Sequence, residues 1–186
     1  LPPLLTIAVP STEDISPDIG FSVPGEAITF TVTYSHPEGW EELTNVYLRL
    51  NTSESLTNCV YLRYDAPSDR LWIRRPDDGS WQGGGAPGAA GTVKNTYVTL
   101  SYARSSVETS GDKLIVTWVI IPSYRVSGKE HNLYLKAEDQ DGHVDGWNDL
   151  GNWIINRMPN YLIPPTTLIN TSVGVSPAKW TFDPRY

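Results

Sequence analysis

Hydrophobic and polar residues alternate along much of the chain with the two-residue period of a half-buried β-strand. In the clearest run, Ile28, Phe30, Val32 and Tyr34 alternate with threonines, which predicts one buried and one solvent-facing side. Similar runs, separated by turn residues, cover 46–50, 60–64, 71–74, 96–102 and 132–137. Short strands at this spacing are typical of an antiparallel β-sandwich with very little helix.

One segment, 113–121, is apolar on both of its faces. A strand of this kind is covered from two sides, so we predict that its tryptophan, Trp118, is buried in the core. The other predicted core positions are the inward-facing members of the alternating runs: Phe30, Val32, Val46, Leu48, Leu62, Val98, Leu100, Val116, Leu133 and Leu135.

The strand-rich region has an extended, proline-marked segment at each end. We predict three parts: an N-terminal extended strand or tail at 1–17, the sandwich at 18–156 and a C-terminal extended tail at 157–186. Unpaired strands invite edge pairing. Each tail is therefore expected either to pack on its own sandwich or to add to a sheet of a neighbouring subunit. An N-terminal assembly strand would use Leu4, Leu5, Ile7 and Val9.

Composition and charge limit which classes of partner and which cellular location are expected. The chain has 14 basic and 21 acidic side chains, a net charge of -7 and no basic cluster longer than Arg74-Arg75, so we expect no nucleic-acid partner. No apolar run is long enough to cross a bilayer, so no membrane insertion is expected. The chain begins Leu-Pro-Pro, and we expect any export signal to have been removed or to lie outside it. This predicts an extracellular or cell-surface location.

Several segments carry a resemblance to a known class of domain. In chain order they are ITFTVTYSHPEGWEELTNVYLRLN, CVYLRYDAPSDRLWI, DDGSW, GTVKNT, SGDKLIVTWVI and NLYLKAEDQDGHVDGWNDLGNW, between residues 20 and 155. In order and spacing they resemble the immunoglobulin-like β-sandwich repeat domain of secreted and surface proteins of environmental bacteria. The resemblance implies an immunoglobulin-like fold. It also implies a disulfide partner for Cys59 near Val98, which this chain lacks, and we interpret Cys59 as a small buried residue.

An acidic, glycine-punctuated loop lies within 137–153. Asp139, Asp141 and Asp145, with Gly142 between them, offer the hard oxygen ligands that calcium prefers. The spacing departs from that of an EF-hand loop, and an aspartate-rich β-turn explains the same residues. Calcium is thus a possible cofactor at these three aspartates, and no other cofactor is predicted.

Four tryptophans form the second candidate site, a surface for binding carbohydrate. Trp72, Trp81, Trp147 and Trp40 form a predicted platform on which sugar rings stack, as β-sandwiches present on loops or on an outer sheet face. The alternative interpretation is structural. Arg70 and Arg74 flank Trp72 and would cover its faces by cation-π contact, and tryptophans at strand ends commonly cap a core.

No catalytic residues are predicted. His36, His131 and His143 lie on separate turns or strand starts, and no serine or cysteine sits in a nucleophile elbow, so we expect no enzyme. The first functional hypothesis is a non-enzymatic extracellular structural module, a subunit of a surface filament or polymeric assembly joined through terminal strands. Its partners would be further copies or neighbouring extracellular modules. The alternative is a carbohydrate-binding module of a secreted enzyme or adhesin, with a polysaccharide as partner.

Overall fold

The computed structural model describes residues 7–157. This part of the chain folds almost entirely as β-strands, with two short 3-10 turns at Trp40–Glu42 and Tyr124–Val126. The strands are β1 Ser11–Ser16, β2 Ile19–Ser22, β3 Ile28–Ser35, β4 Leu43–Asn51, β5 Val60–Asp65, β6 Arg70–Arg74, β7 Trp81–Gly85, β8 Thr92–Lys94, β9 Val98–Ser101, β10 Ser106–Ser110, β11 Lys113–Pro122, β12 Lys129–Asp139 and β13 Val144–Ile155.

Two sheets face each other. The six-stranded sheet has the order β1-β3-β11-β9-β8, with β10 also paired to β11, and the seven-stranded sheet has the order β2-β13-β12-β4-β5-β6-β7. Neighbouring strands are antiparallel, except that β2 runs parallel to β13. Nine of these strands match a variable-type immunoglobulin domain. Strands β1, β3, β11 and β9 correspond to A, B, E and D of one sheet, and β13, β12, β4, β5 and β6 correspond to G, F, C, C′ and C″ of the other. The predicted all-β, immunoglobulin-like antiparallel sandwich is confirmed.

The core lies between the two sheets, where the alternating runs place it. Trp118 on β11 is 0 % exposed and lies opposite Phe30 on β3 in the strand register. Its burial confirms the prediction made from the doubly apolar segment. Every other predicted core residue is buried as well: Phe30, Val32, Val46, Leu48, Leu62, Val98, Leu100, Val116, Leu133 and Leu135.

The first strand of the sandwich begins before the boundary predicted at residue 18. Residues 11–16 form β1 and pair with β3 of the same chain, so this part of the segment 1–17 belongs to the sandwich. Ile15 is buried in the core, and Asp145 on β13 accepts hydrogen bonds from the backbone N and Oγ1 of Thr12 at 2.7 and 2.8 Å. These contacts fix β1 within its own domain.

The structure describes only part of the remaining residues of the two predicted tails. Ile7 and Val9 are exposed and lie outside any strand. Leu4 and Leu5 lie outside the described residues, as does the predicted C-terminal tail beyond Arg157. In the described part, β13 ends at Ile155. No helix of the described part is long and apolar enough to cross a membrane.

Candidate ligand-binding face

The outward side of the seven-stranded sheet carries a second cluster of apolar side chains, separate from the core. We call Tyr47, Tyr61, Trp81 and Trp147 the outer aromatic cluster. Tyr47 and Tyr61 face outward because their neighbours Leu48 and Leu62 face the core, and side chains alternate along a strand. The ring centroid of Tyr61 lies 5.1 Å from that of Trp81 and 5.2 Å from that of Trp147, both edge to face. Four rings from four strands thus form one packed surface.

A β-bulge brings Trp147 onto this surface. Gly146 pairs with Lys136 and Asn148 pairs with Leu135, so Trp147 is an extra residue of β13 with no partner on β12. Such a bulge bends the strand and redirects a side chain. Gly146 has φ 123°, and a Cβ there would lie 2.4 Å from the backbone oxygen of Leu135. Only glycine fits this position without strain.

A second bulge lies on β7, the edge strand at the side of the sheet away from β13. On β7, Gly83 pairs with Trp72 and Gly85 pairs with Leu71, which leaves Gly84 as the extra residue. A Cβ on Gly84 would lie 2.8 Å from the ring of Trp72. The bulge increases the local twist of the edge strand, and the Trp81 ring reaches Tyr61 on β5.

Cationic side chains are interleaved with the rings. The Arg49 guanidinium carbon lies 4.1 Å from the ring centroid of Trp147 and 4.7 Å from that of Tyr134. Arg63 lies 4.6 Å from the centroid of Trp81, and the Lys136 amine lies 4.9 Å from that of Tyr47. Cation-π contacts of this kind contribute about 0.5–2 kcal/mol each.

Arg49 is the most unusual member of this surface. It is 0 % exposed, and none of its three guanidinium nitrogens has a hydrogen-bond partner within the described part. Burial lowers its pKa, yet an arginine side chain remains charged in proteins. Its charge is therefore held by the two flanking rings rather than by a carboxylate. Burial also raises the pKa of Tyr61 to about 12, so this neighbouring phenol is neutral.

Arg63, rather than Arg70 or Arg74, covers Trp72. Its guanidinium carbon lies 5.4 Å from the Trp72 ring centroid. The physical reason is the strand register, because Arg63 and Trp72 are direct partners across β5 and β6. Arg74 lies over Tyr61 instead, and Arg70 donates a hydrogen bond to the backbone oxygen of Asp69. The expectation that the sequence neighbours of Trp72 cover it was wrong.

The structure brings together three of the four predicted platform tryptophans. Trp72, Trp81 and Trp147 are half-buried on the same outer face. Trp40 lies elsewhere, because it opens the 3-10 turn before β4 at one end of the sandwich. It packs against the main core and lines a shallow hollow that includes Pro67. Trp40 therefore does not belong to this face.

The acidic loop uses its carboxylates for protein contacts. Asp139 accepts hydrogen bonds from the backbone N of His143 at 2.8 Å and from its Nδ1 at 2.9 Å, and its carboxylate lies 3.5 Å from Nε2 of His36. Burial opposes its ionisation, but the His143 hydrogen bonds outweigh burial and hold the Asp139 pKa below its usual value. Asp145 is occupied by Thr12 and by Asn148, whose amide donates at 2.9 Å.

Asp141, the third predicted calcium ligand, is exposed in the turn. Within residues 7–157, no three His, Cys, Asp or Glu side chains are grouped so that they could hold a metal ion. Asp139, Asp141 and Asp145 therefore do not converge on one point. The geometry matches the aspartate-rich turn better than a calcium site.

No protein-family model and no curated protein matches the chain. A solved structure described as the GspB Siglec domain is 14 % identical, with a TM-score of 0.39, over 84 % of this chain. This chain spans 60 % of that structure's length. Similarity at this level assigns no ligand, so the resemblance to repeat domains of bacterial surface proteins stays a prediction.

Proposed function

We propose that the protein is a non-enzymatic extracellular binding module that holds a carbohydrate on the outer face of its seven-stranded sheet. The observation that carries this proposal is the pair of glycine bulges on β13 and β7 of that sheet. They support Trp147 and Trp72 on a surface that the main core does not need for its own packing. Bulges are over-represented next to ligand-binding and active sites, where they redirect a side chain.

The chemistry of the face fits a sugar. The half-buried rings of Trp81 and Trp147, which pack on the buried Tyr47 and Tyr61, present flat apolar surfaces with a polar edge, and such surfaces match the C–H faces of pyranose rings. Arg63 and Lys136 are half-buried beside these rings and supply hydrogen-bond donors for sugar hydroxyls. Lys136 pairs with Glu138, and Glu138 accepts a hydrogen bond from the Tyr47 hydroxyl at 2.8 Å. Aromatic residues and arginine are also the groups that dominate binding energy at interfaces.

We expect affinity electrophoresis and tryptophan fluorescence to detect binding to members of a polysaccharide panel. Trp147→Ala and Trp81→Ala should each weaken binding about tenfold or more, because each removes a ring worth about 1.4 kcal/mol of stacking. The matched control is Trp40→Ala, which removes a half-buried tryptophan away from the face and should leave the affinity unchanged. If no polysaccharide of a broad panel binds, or if Trp40→Ala has the same effect, the proposal is wrong.

A second candidate function is assembly through strands, and a separate observation favours it. β2 is an edge strand of the seven-stranded sheet in the described part, and its Ile19 and Phe21 are 75 % and 74 % exposed. Phe21 lies opposite Ile154, which is also exposed. An apolar edge strand of this kind pairs readily with another chain. Further copies or neighbouring extracellular modules would be the partners, with Leu4, Leu5, Ile7 and Val9 as the candidate added strand.

Light scattering at high protein concentration tests this second candidate. We expect the intact chain to form assemblies, and we expect Phe21→Asp and removal of residues 1–9 each to give a folded monomer. The deletion stops before Ser11, so β1 remains complete. A chain that is monomeric at all concentrations with both segments intact would exclude assembly and leave carbohydrate binding in place.

A further inference from the structure

A polar cleft lies at one end of the sandwich, where β4 ends and β12 begins. Its volume is about 170 Å³, and its walls come from the connection between β4 and β5 and from the turn before β12. Asn51 shapes one wall, since its amide nitrogen donates to the backbone oxygens of Ser55 at 2.7 Å and Thr57 at 3.3 Å. None of the lining residues belongs to the outer aromatic cluster.

The charge of this cleft is opposite to that of the whole chain. Arg125 and Lys129 line it, and both are exposed. Neither forms an ion pair with a carboxylate of the described part, and no Asp or Glu lines the cleft, although the chain carries a net charge of -7. The hydroxyl groups of Thr52, Ser55 and Thr57 complete the lining. Two unpaired cations beside hydroxyls favour an anionic ligand that also forms hydrogen bonds.

His131 forms a buried wall of the cleft. It lines the cleft and is 1 % exposed, and its Nε2 donates to the backbone oxygen of Val126 at 2.7 Å. Burial, together with the charge of Lys129, lowers the His131 pKa against the opposing effect of that hydrogen bond. The ring is then neutral at pH 7, and its Nδ1 is a bare acceptor with no partner in the described part. This atom is enclosed by protein and has almost no surface open to solvent, so His131 acts as a wall of the cleft, and its hydrogen bond to Val126 fixes the turn that carries Arg125.

We propose that this cleft binds a single sugar acid or sugar phosphate. The anionic group pairs with Arg125 and Lys129, and the sugar hydroxyls form hydrogen bonds with the side chains of Thr52, Ser55 and Thr57 that line the cleft. The size agrees with one sugar unit, because a cavity of roughly 150 Å³ holds one six-membered ring, and the volume of this cleft is about 170 Å³. The site is separate from the outer aromatic cluster, so it does not depend on the function proposed above.

A titration of the intact, isotope-labelled chain followed by amide chemical shifts tests this site. Glucuronate and glucose 6-phosphate are the charged, hydroxylated probes; glucose lacks the charge and inorganic sulfate lacks the hydroxyls. We expect at least one charged sugar to shift the amides of 52–57 and 125–131, with glucose and sulfate at least tenfold weaker. Preference between the two charged sugars would identify the anionic group as a carboxylate or a phosphate.

Variants of the exposed cations avoid the risk of unfolding the chain. Arg125→Ala and Lys129→Ala should each weaken binding of the charged sugar about tenfold, which corresponds to about 1.4 kcal/mol. Arg104→Ala removes an exposed arginine that does not line the cleft, and it should change nothing. Sulfate binding as tightly as glucuronate, glucose binding as tightly as either charged sugar, or an absence of shifts at these amides would each overturn the proposal.

Discussion

Trp118→Ala should lower the free energy of unfolding by about 3–5 kcal/mol, the range for removing a large aromatic ring from a packed core. Trp118 is 0 % exposed and is among the largest fully buried side chains of the described part. Its side chain projects from β11 into the space between the two sheets, and Trp118 is the register partner of the equally buried Phe30 on β3. The neighbouring strands are hydrogen-bonded on both sides of β11, so the backbone has little freedom to close the cavity left by the ring.

Urea denaturation followed by far-ultraviolet circular dichroism measures this loss. Trp118→Phe is the graded control and should lose less, because it keeps one aromatic ring in the same space. Trp40→Ala is the positional control, since Trp40 is only half-buried at one end of the sandwich. A loss below about 1 kcal/mol for Trp118→Ala would show that the interior collapses around the site, contrary to the rigid packing described above.

The inner faces of both sheets were predictable because burial leaves a period of two in the sequence. Val46, Leu48 and Leu50 face the core as a set, and a slip of one residue would expose all three. Trp118 was predicted by a different rule, from a segment that is apolar on both faces. The extent of β1 within the predicted segment 1–17 was not foreseen, because residues 11–16 are largely polar and only Ile15 contributes a core aliphatic side chain.

The outer face was predictable only in part. Tryptophans are conspicuous in a sequence, but the bridging role of Arg49 depends on two rings from other strands. One signal was present, since Val-Tyr-Leu-Arg occurs twice, at 46–49 and 60–63. In the antiparallel register Tyr47 pairs with Arg63 and Arg49 pairs with Tyr61, which alternates rings and cations across the two strands. The repeat indicated matching outer faces, but not which strands would pair.

The aspartates of the acidic loop present the opposite case, because some of the contacts that occupy their carboxylates come from distant parts of the chain, in addition to the nearby His143 and Asn148. Asp145 binds Thr12 on β1, and Asp139 lies beside His36 just after β3. A local spacing rule detects the aspartates but cannot detect these partners. The partners satisfy the oxygens that a cation would otherwise need.

Gly146→Ala should lower the free energy of unfolding by about 2–4 kcal/mol and displace Trp147 from the outer aromatic cluster. Two costs combine at this position. A φ of 123° is unfavourable for alanine, and the added Cβ would lie 2.4 Å from the backbone oxygen of Leu135 and 2.7 Å from the Cα of Lys136. Because both contacts are with backbone atoms, a side-chain rotation cannot relieve them, and the bulge itself must change.

Gly142→Ala, in the turn before β13, separates the cost of a positive φ from the cost of the steric clash. Gly142 also has a positive φ, 85°, but a Cβ there meets nothing within 4 Å, so this variant should lose only about 1–2 kcal/mol. The readout that distinguishes the variants is the near-ultraviolet dichroism of the packed rings, which Gly146→Ala should diminish and Gly142→Ala should retain. Because Trp147 also stacks on Arg49, polysaccharide binding should weaken in Gly146→Ala alone. If the two variants lose the same stability and keep the same aromatic spectrum, the bulge does not position Trp147, and its role in the binding face is refuted.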